Sequence, residues 1–289
     1  MCDSDNHQGF IVDTSVTRRS VVLTLSSVAA AAGLPSSAFA AENVVEADVM
    51  VPTADGSADA ALFHPAGSGS WPAVLMWPDI LGLRPVFRDM GRRLAADGYI
   101  VLVPNPFYRT KRAPIVTGPL DFNNPKQVKP LLDLKATLTD ARIDSDAKAF
   151  LAFLDQQKQT NRHRAAGVQG YCFSGPFAFH TAAVRPDRIR AVGSFHGGGL
   201  VTKDADSPHL LIPKTKASFV VAIARNDDEK QPEAKDVLKR TFAAAKRPAI
   251  VEVYPADHGW CVAGSPTYDH ASAERAWAEL LRLYRMNLV

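Results

Sequence analysis

Cysteine is scarce in this chain: of three in 289 residues, only Cys172 and Cys261 lie beyond the first few positions. Two cysteines cannot build a disulfide framework, and a chain of this size needs none to hold a core. No C-x-x-C pair occurs, which removes the usual dithiol redox motif. No group of His, Cys, Asp and Glu has metal-ligand spacing, and no glycine-rich loop follows a strand in the form that cradles phosphate, so the sequence calls for no metal and no cofactor. A basic run is also missing. Lys and Arg are scattered among Asp and Glu and the net charge is only +3, which gives nucleic acid no electrostatic footprint. Internal repeats are absent. With 46% hydrophobic and 22% charged residues, what remains is the composition of a globular protein with one sizeable core.

The first forty residues stand apart from that core. Arg18 and Arg19 precede a short apolar segment, Val21 to Leu34, and Ser37-Ala38-Phe39-Ala40 ends in the small-x-small pattern that a signal peptidase cuts. The apolar segment is too short to span a bilayer comfortably. This arrangement resembles a twin-arginine export signal. The resemblance implies passage through the twin-arginine export machinery, cleavage after Ala40, and a periplasmic or secreted product with no stable membrane anchor. Residues 1–40 are therefore read as a cleavable signal and residues 41–289 as one domain.

Within that domain, Val44 to Met50 and Ala58 to Phe63 alternate as strands do around the turn-forming Thr53-Ala54-Asp55-Gly56, which predicts an N-terminal antiparallel hairpin. Ala73 to Trp77, Tyr99 to Val103, Ala166 to Tyr171, Ile189 to Phe195, Phe219 to Ala224 and Ile250 to Tyr254 read as buried strands. Helical spacing appears at Phe87 to Ala96, Ile143 to Gln156, Pro232 to Ala245 and Ala271 to Met286, and Pro176 marks the first turn of a further helix. Six prolines between Pro104 and Pro130 predict a long irregular connection of the kind that covers or shapes a site. Strands alternating with helices predict an α/β protein with a mostly parallel central sheet flanked by helices.

In such a sheet, functional groups collect beyond the carboxyl ends of the strands. The predicted strand ends supply Asp79, Asn105, Cys172, His196, Asp227 and His258. Cys172 falls at a strand-to-helix corner among small residues, where a helix amino terminus and a neighbouring imidazole lower a thiol pKa. Ser174 lies further into the helix and is the lesser candidate for nucleophile. His258 follows the last strand and precedes Gly259, which makes it the natural general base in the chain order nucleophile, acid, base. Asp227, or its neighbour Asp228, would orient the imidazole; register alone separates the two. Ser194 to Gly199 reads as a glycine-rich strand-end loop with His196 lining the pocket.

The Gly170-Tyr171-Cys172 corner, the Asp227 turn and the His258-Gly259 loop resemble the dienelactone hydrolase family over essentially the whole of residues 41–289. That resemblance implies the α/β-hydrolase fold and a Cys172, His258, Asp227 triad that opens lactones or cleaves esters through a thioester. It further implies an acid beside the thiol at Asp79, where the family carries Glu, and an oxyanion hole from the backbone N–H groups of Phe173 and Ile80. Arg109 matches one of the two arginines with which the family grips a substrate carboxylate. Val262 stands where the second belongs, and Ser174 stands where the family's corner has Gly. Tyr108, Arg109, His196 and Trp260 are the expected substrate contacts. The expected partner is a small ester or lactone, and the alternative is a noncatalytic protein that keeps this fold for binding or sensing.

Overall fold

A computed structural model describes residues 11–12 and 43–288. The expected export signal and its cleavage point lie outside the described residues, except that Ile11–Val12 pairs antiparallel with Leu120–Asp121. The hairpin that the alternation predicts is formed by β1 (Val44–Thr53) and β2 (Gly56–Pro65), with Thr53 paired to Gly56 across a two-residue turn. Gly56 takes φ +130°, a conformation in which a side chain would be strained.

Six further strands run parallel to one another: β3 (Ala73–Trp77), β4 (Ile100–Pro104), β5 (Ala166–Tyr171), β6 (Ile189–Phe195), β7 (Ser218–Ala224) and β8 (Ala249–Tyr254). Together with the hairpin they make an eight-stranded sheet in the order β1-β2-β4-β3-β5-β6-β7-β8. Neighbouring β3 and β5 continue to opposite sides of the sheet. A crevice therefore opens beyond their carboxyl ends, at Asp79 and Cys172.

The apolar runs are continuous because both faces of the sheet are covered. In β3, Leu75 and Trp77 face a layer containing Phe150, Phe179 and Phe242, whereas Val74 and Met76 face one containing Phe87, Leu94 and Tyr284. The first layer is carried by α3 (Asp140–Gln156), α4 (Gly175–Val184) and α6 (Ala234–Ala244), the second by α1 (Pro85–Ala96) and α7 (His270–Asn287). Among the described residues no helix is long and apolar enough to cross a membrane.

Two segments depart from the sequence expectation. The proline-rich connection contains a helix, α2 (Pro125–Ala136), capped by the Asn124 side chain, which accepts from the Lys126 amide. Pro125 sits in its first turn, where the missing donor costs nothing, and Pro130 is accommodated inside. Asp227, expected in a turn, lies in the short helix α5 (Arg225–Lys230) that leaves β7 directly. α5 is six polar residues and leaves no apolar period, and in α2 the two prolines read as breaks.

Candidate active site

Cys172 follows β5 immediately and opens a short 3-10 turn, Cys172–Ser174, that leads into α4. Its φ is +57°. For a residue with a Cβ this conformation costs about 1–3 kcal/mol and persists only where the surroundings impose it. Here they do. A Cβ at Gly170 would stand 2.1 Å from the Ser174 carbonyl oxygen, and one at Gly175 would stand 2.6 Å from Gly197 Cα in the loop after β6. The corner is thus so tightly folded that its flanking positions accept only glycine.

Ser174 explains how the corner holds without a third glycine. Its Oγ accepts from the Tyr171 amide at 2.9 Å and lies 3.0 Å from the carbonyl oxygens of Tyr171 and Trp77. The side chain is 0% exposed. It ties β5 to β3 from beneath, and a hydroxyl buried in this way is not presented to a substrate. Below Cys172 on the α7 side, Tyr284 donates to Gln169 Oε1 and Gln169 Nε2 donates to the Tyr171 hydroxyl, so the buried polar groups of this strand are paired.

His258 lies in the loop after β8. The loop is pinned at its backbone: Asn226 Oδ1 accepts from the His258 amide at 2.9 Å, and Thr267 donates to the His258 carbonyl at 2.7 Å. Asp227 Oδ2 lies 2.6 Å from His258 Nδ1. Asp228 points elsewhere, accepting from Lys235 Nζ at 2.7 and 2.8 Å. Geometry therefore separates the two adjacent acids: Asp227 is the imidazole's partner, and its oxygen on Nδ1 leaves Nε2 as the nitrogen for proton exchange.

The other expected residues fall in two places. Asp79 lies at the crevice, but both its oxygens are taken by Arg84, and Oδ1 also accepts from the Leu81 amide at 3.0 Å. The pair is buried, so Asp79 is a fixed, compensated anion. Arg84 carried no sequence signal as its partner. Arg109, expected to meet substrate, is instead spent within the protein: Asp146 takes it bidentately at 2.7 Å on each arm, and Asp55 takes its Nε at 2.6 Å. Tyr108 joins the same cluster, donating to Asp146 at 2.9 Å beside Thr53. Burial is the main cause that pushes the Tyr108 hydroxyl up to about 12, so it stays a donor. The neighbour that does reach the corner is Phe107, whose ring stacks on Phe173 at 5.7 Å.

Trp260 and His196 are buried behind His258. Trp260 stacks on Tyr254 at 4.6 Å, and His196 packs edge-to-face on His258 at 4.9 Å. Open space lies on the other side of the corner. A cavity of about 230 Å³ has Phe173, Phe177 and Leu138 on its apolar side and Asp140, His180 and Asp204 on its polar side. Away from the corner, an apolar groove of about 680 Å³ runs between Ile115, Leu120, Leu131 and Leu134, within the proline-rich connection and α2. Among the described residues, no group of three or more His, Cys, Asp or Glu could hold a metal ion.

Known proteins resemble this chain in sequence and in fold. A Methylorubrum extorquens protein provisionally named carboxymethylenebutenolidase is 26% identical over 289 aligned positions, covering 94% of each chain. The carboxymethylenebutenolidase of Rhodococcus opacus is also 26% identical, over 76% of this chain and 83% of its own. A crystal structure from Klebsiella pneumoniae, provisionally named a dienelactone hydrolase, superposes with a TM-score of 0.73 at 21% identity, over 84% of this chain and 98% of its own. The likeness is one of fold, and the fold is the α/β-hydrolase fold. Residues 58–288, nearly everything described above, match the dienelactone hydrolase family model, and the chain belongs to that family of hydrolases.

Proposed function

We propose that this protein hydrolyses small uncharged esters or lactones through a thioester on Cys172. The observation that carries the reading is the backbone of Cys172, a residue with a side chain held at φ +57° at the crevice of the sheet, with an Asp227-bound imidazole on the loop after the last strand. His258 Nε2 takes the thiol proton, and the sulfur attacks the acyl carbon. The oxyanion of the tetrahedral intermediate is received by the amides of Phe173 and Ile80. Phe173 lies in the first turn after Cys172, where amides lack helical acceptors, and its donor is fixed before charge appears. The intermediate collapses, His258 returns its proton to the departing alkoxide, and the acyl group remains on sulfur. Water, deprotonated by His258, then attacks the thioester and restores the thiol with release of the acid.

Asp79 acts in this scheme through its fixed negative charge near the thiol, with Arg84 holding it in place. Replacing it by Asn is expected to shift the pH profile of Cys172 alkylation, and an unchanged profile would remove Asp79 from the mechanism. Uncharged substrates are favoured because Arg109 is already neutralised by Asp146 and Val262 is buried and apolar. Next to the corner, the Phe173 and Phe177 rings offer such substrates an apolar face.

A panel of aryl esters, thioesters and lactones, with the mature protein and Cys172→Ala, tests the reading directly. Turnover in the parent that vanishes in the variant is expected; turnover unchanged in the variant moves the nucleophile elsewhere, and none in the parent favours a binding or sensing role. Residues 1–40 are proposed to direct export through the twin-arginine machinery, giving a periplasmic or secreted enzyme. Amino-terminal sequencing of the exported product should begin near Ala41, whereas an intact cytoplasmic product would overturn that assignment.

A further inference from the structure

The reaction above leaves two chemically capable side chains behind His258 without a task, His196 and Cys261. His196 is 1% exposed and adopts φ +39°, a second strained residue at a strand end. Its Nε2 lies 3.1 Å from Cys261 Sγ, and its Nδ1 has no hydrogen-bond partner among the described residues. The ring meets three others: His258 at 4.9 Å with planes 63° apart, Trp260 at 6.1 Å and Tyr171 at 6.2 Å. A buried polar ring kept half unpaired, on strained backbone, against the base of the reaction, is a costly arrangement for packing alone.

The protonation states of the pair follow from their surroundings. Burial, and then the charge of His258, hold His196 well below the ordinary imidazole range, so its ring is neutral. Burial, and then the charge of Asp79, push the Cys261 thiol well up, so it keeps its proton. The neutral ring and the protonated thiol share one hydrogen bond between Nε2 and Sγ, its direction set by the imidazole tautomer.

We infer that His196 and Cys261 are positioning residues for His258: the hydrogen bond between Cys261 Sγ and His196 Nε2 locks that ring edge-to-face against the His258 imidazole. This rests on His258 being the base of the proposed reaction. Asp227 holds Nδ1 of His258, and the His196 ring packs edge-to-face on the plane of that imidazole. Its neutrality matters as well, because a charged ring at this distance would oppose the imidazolium that forms during each turnover.

The test is a paired series in the mature protein with an aryl ester as probe. Cys261→Ala removes the hydrogen-bond partner and Cys261→Ser restores one; His196→Ala removes the ring, and His196→Phe keeps a ring that cannot take the hydrogen bond. The two alanine variants are expected to lose roughly 10-fold to 100-fold in kcat with KM held within about twofold, as misplacement of a catalytic group does. Cys261→Ser is expected to recover most of its loss and His196→Phe to lose about as much as Cys261→Ala, with thermal midpoints recorded to compare folding. Equal losses in Cys261→Ala and Cys261→Ser, or full activity in His196→Phe, would overturn the inference. So would a loss that appears in KM, which would make His196 a substrate contact. Cys172→Ala in the same assay keeps the two readings apart: activity there defeats the thiol mechanism, whereas an inactive Cys172→Ala beside an undivided Cys261 series defeats only the positioning role.

Discussion

Cys172 stands at the end of a parallel strand in a left-handed conformation, at the start of a helical turn, facing the crevice. Cys261 lies in the loop after β8 with its sulfur against a buried neutral imidazole, and burial raises its thiol. The residue type is the same, and the difference lies in backbone and neighbours. The first cysteine is placed where glycine would be comfortable and where amide dipoles converge. The second is placed where a proton is hard to lose. On the proposed mechanism, it is the turn carrying the sulfur that separates the reactive cysteine from the inert one.

Exchanging each sulfur gives the widest contrast. Cys172→Ala is expected to lower ester turnover by about 10⁴-fold or more, far beyond the loss expected of Cys261→Ala; comparable losses measured in one assay would break the distinction. Next in size is the acid behind the base. Asp227→Asn should cost about 10²-fold to 10⁴-fold in kcat, because the imidazole loses the partner that fixes its tautomer. Asp228→Asn, which disturbs only the bond to Lys235, should stay within about twofold, and steady-state kinetics of the two variants decide between them.

Chemical modification sharpens the contrast further. Iodoacetamide at neutral pH should label Cys172 at least about tenfold faster than Cys261 in the folded protein, read by peptide mass spectrometry, with the preference lost after unfolding. The smallest expected effect is on stability. Cys261 keeps its proton in the folded state, whereas in the unfolded chain a thiol releases it above about pH 8.5. The unfolded state thus binds fewer protons above that pH, and folding stability falls as pH rises, by at most about 1.4 kcal/mol per pH unit. Below about pH 8.5 the contribution is fully present. Denaturant titrations between about pH 8 and 10 should show a shallower decline in Cys261→Ala than in the parent; parallel curves would mean that the Cys261 thiol ionises alike in both states.

Much of the architecture was legible because the signals were local. β3 and β5 are short apolar runs bounded by turn residues, and the corner at Cys172 announces itself through the small residues that its close contacts require. Asp227 and His258 could be paired from chain order, since that order follows from the sheet. Other features were hidden for the opposite reason. The Arg109–Asp146 and His196–Cys261 contacts join positions 37 and 65 residues apart, and no periodicity links such partners. α2 was masked by Pro125 and Pro130, which read as breaks until Asn124 is seen capping the helix. Choosing Asp227 over Asp228 needed only the direction of two side chains, which sequence does not carry.

Arg109 bears on how this protein could be given a new substrate. Its fork is met on both arms by Asp146, a carboxylate from α3, in the geometry that a bound carboxylate ligand would adopt. The guanidinium is therefore already satisfied from its own chain, and Asp55 takes its Nε as well. An engineer seeking activity on carboxylate-bearing lactones would gain little from Val262→Arg alone, since Arg109 stays paired with Asp146 and Asp55.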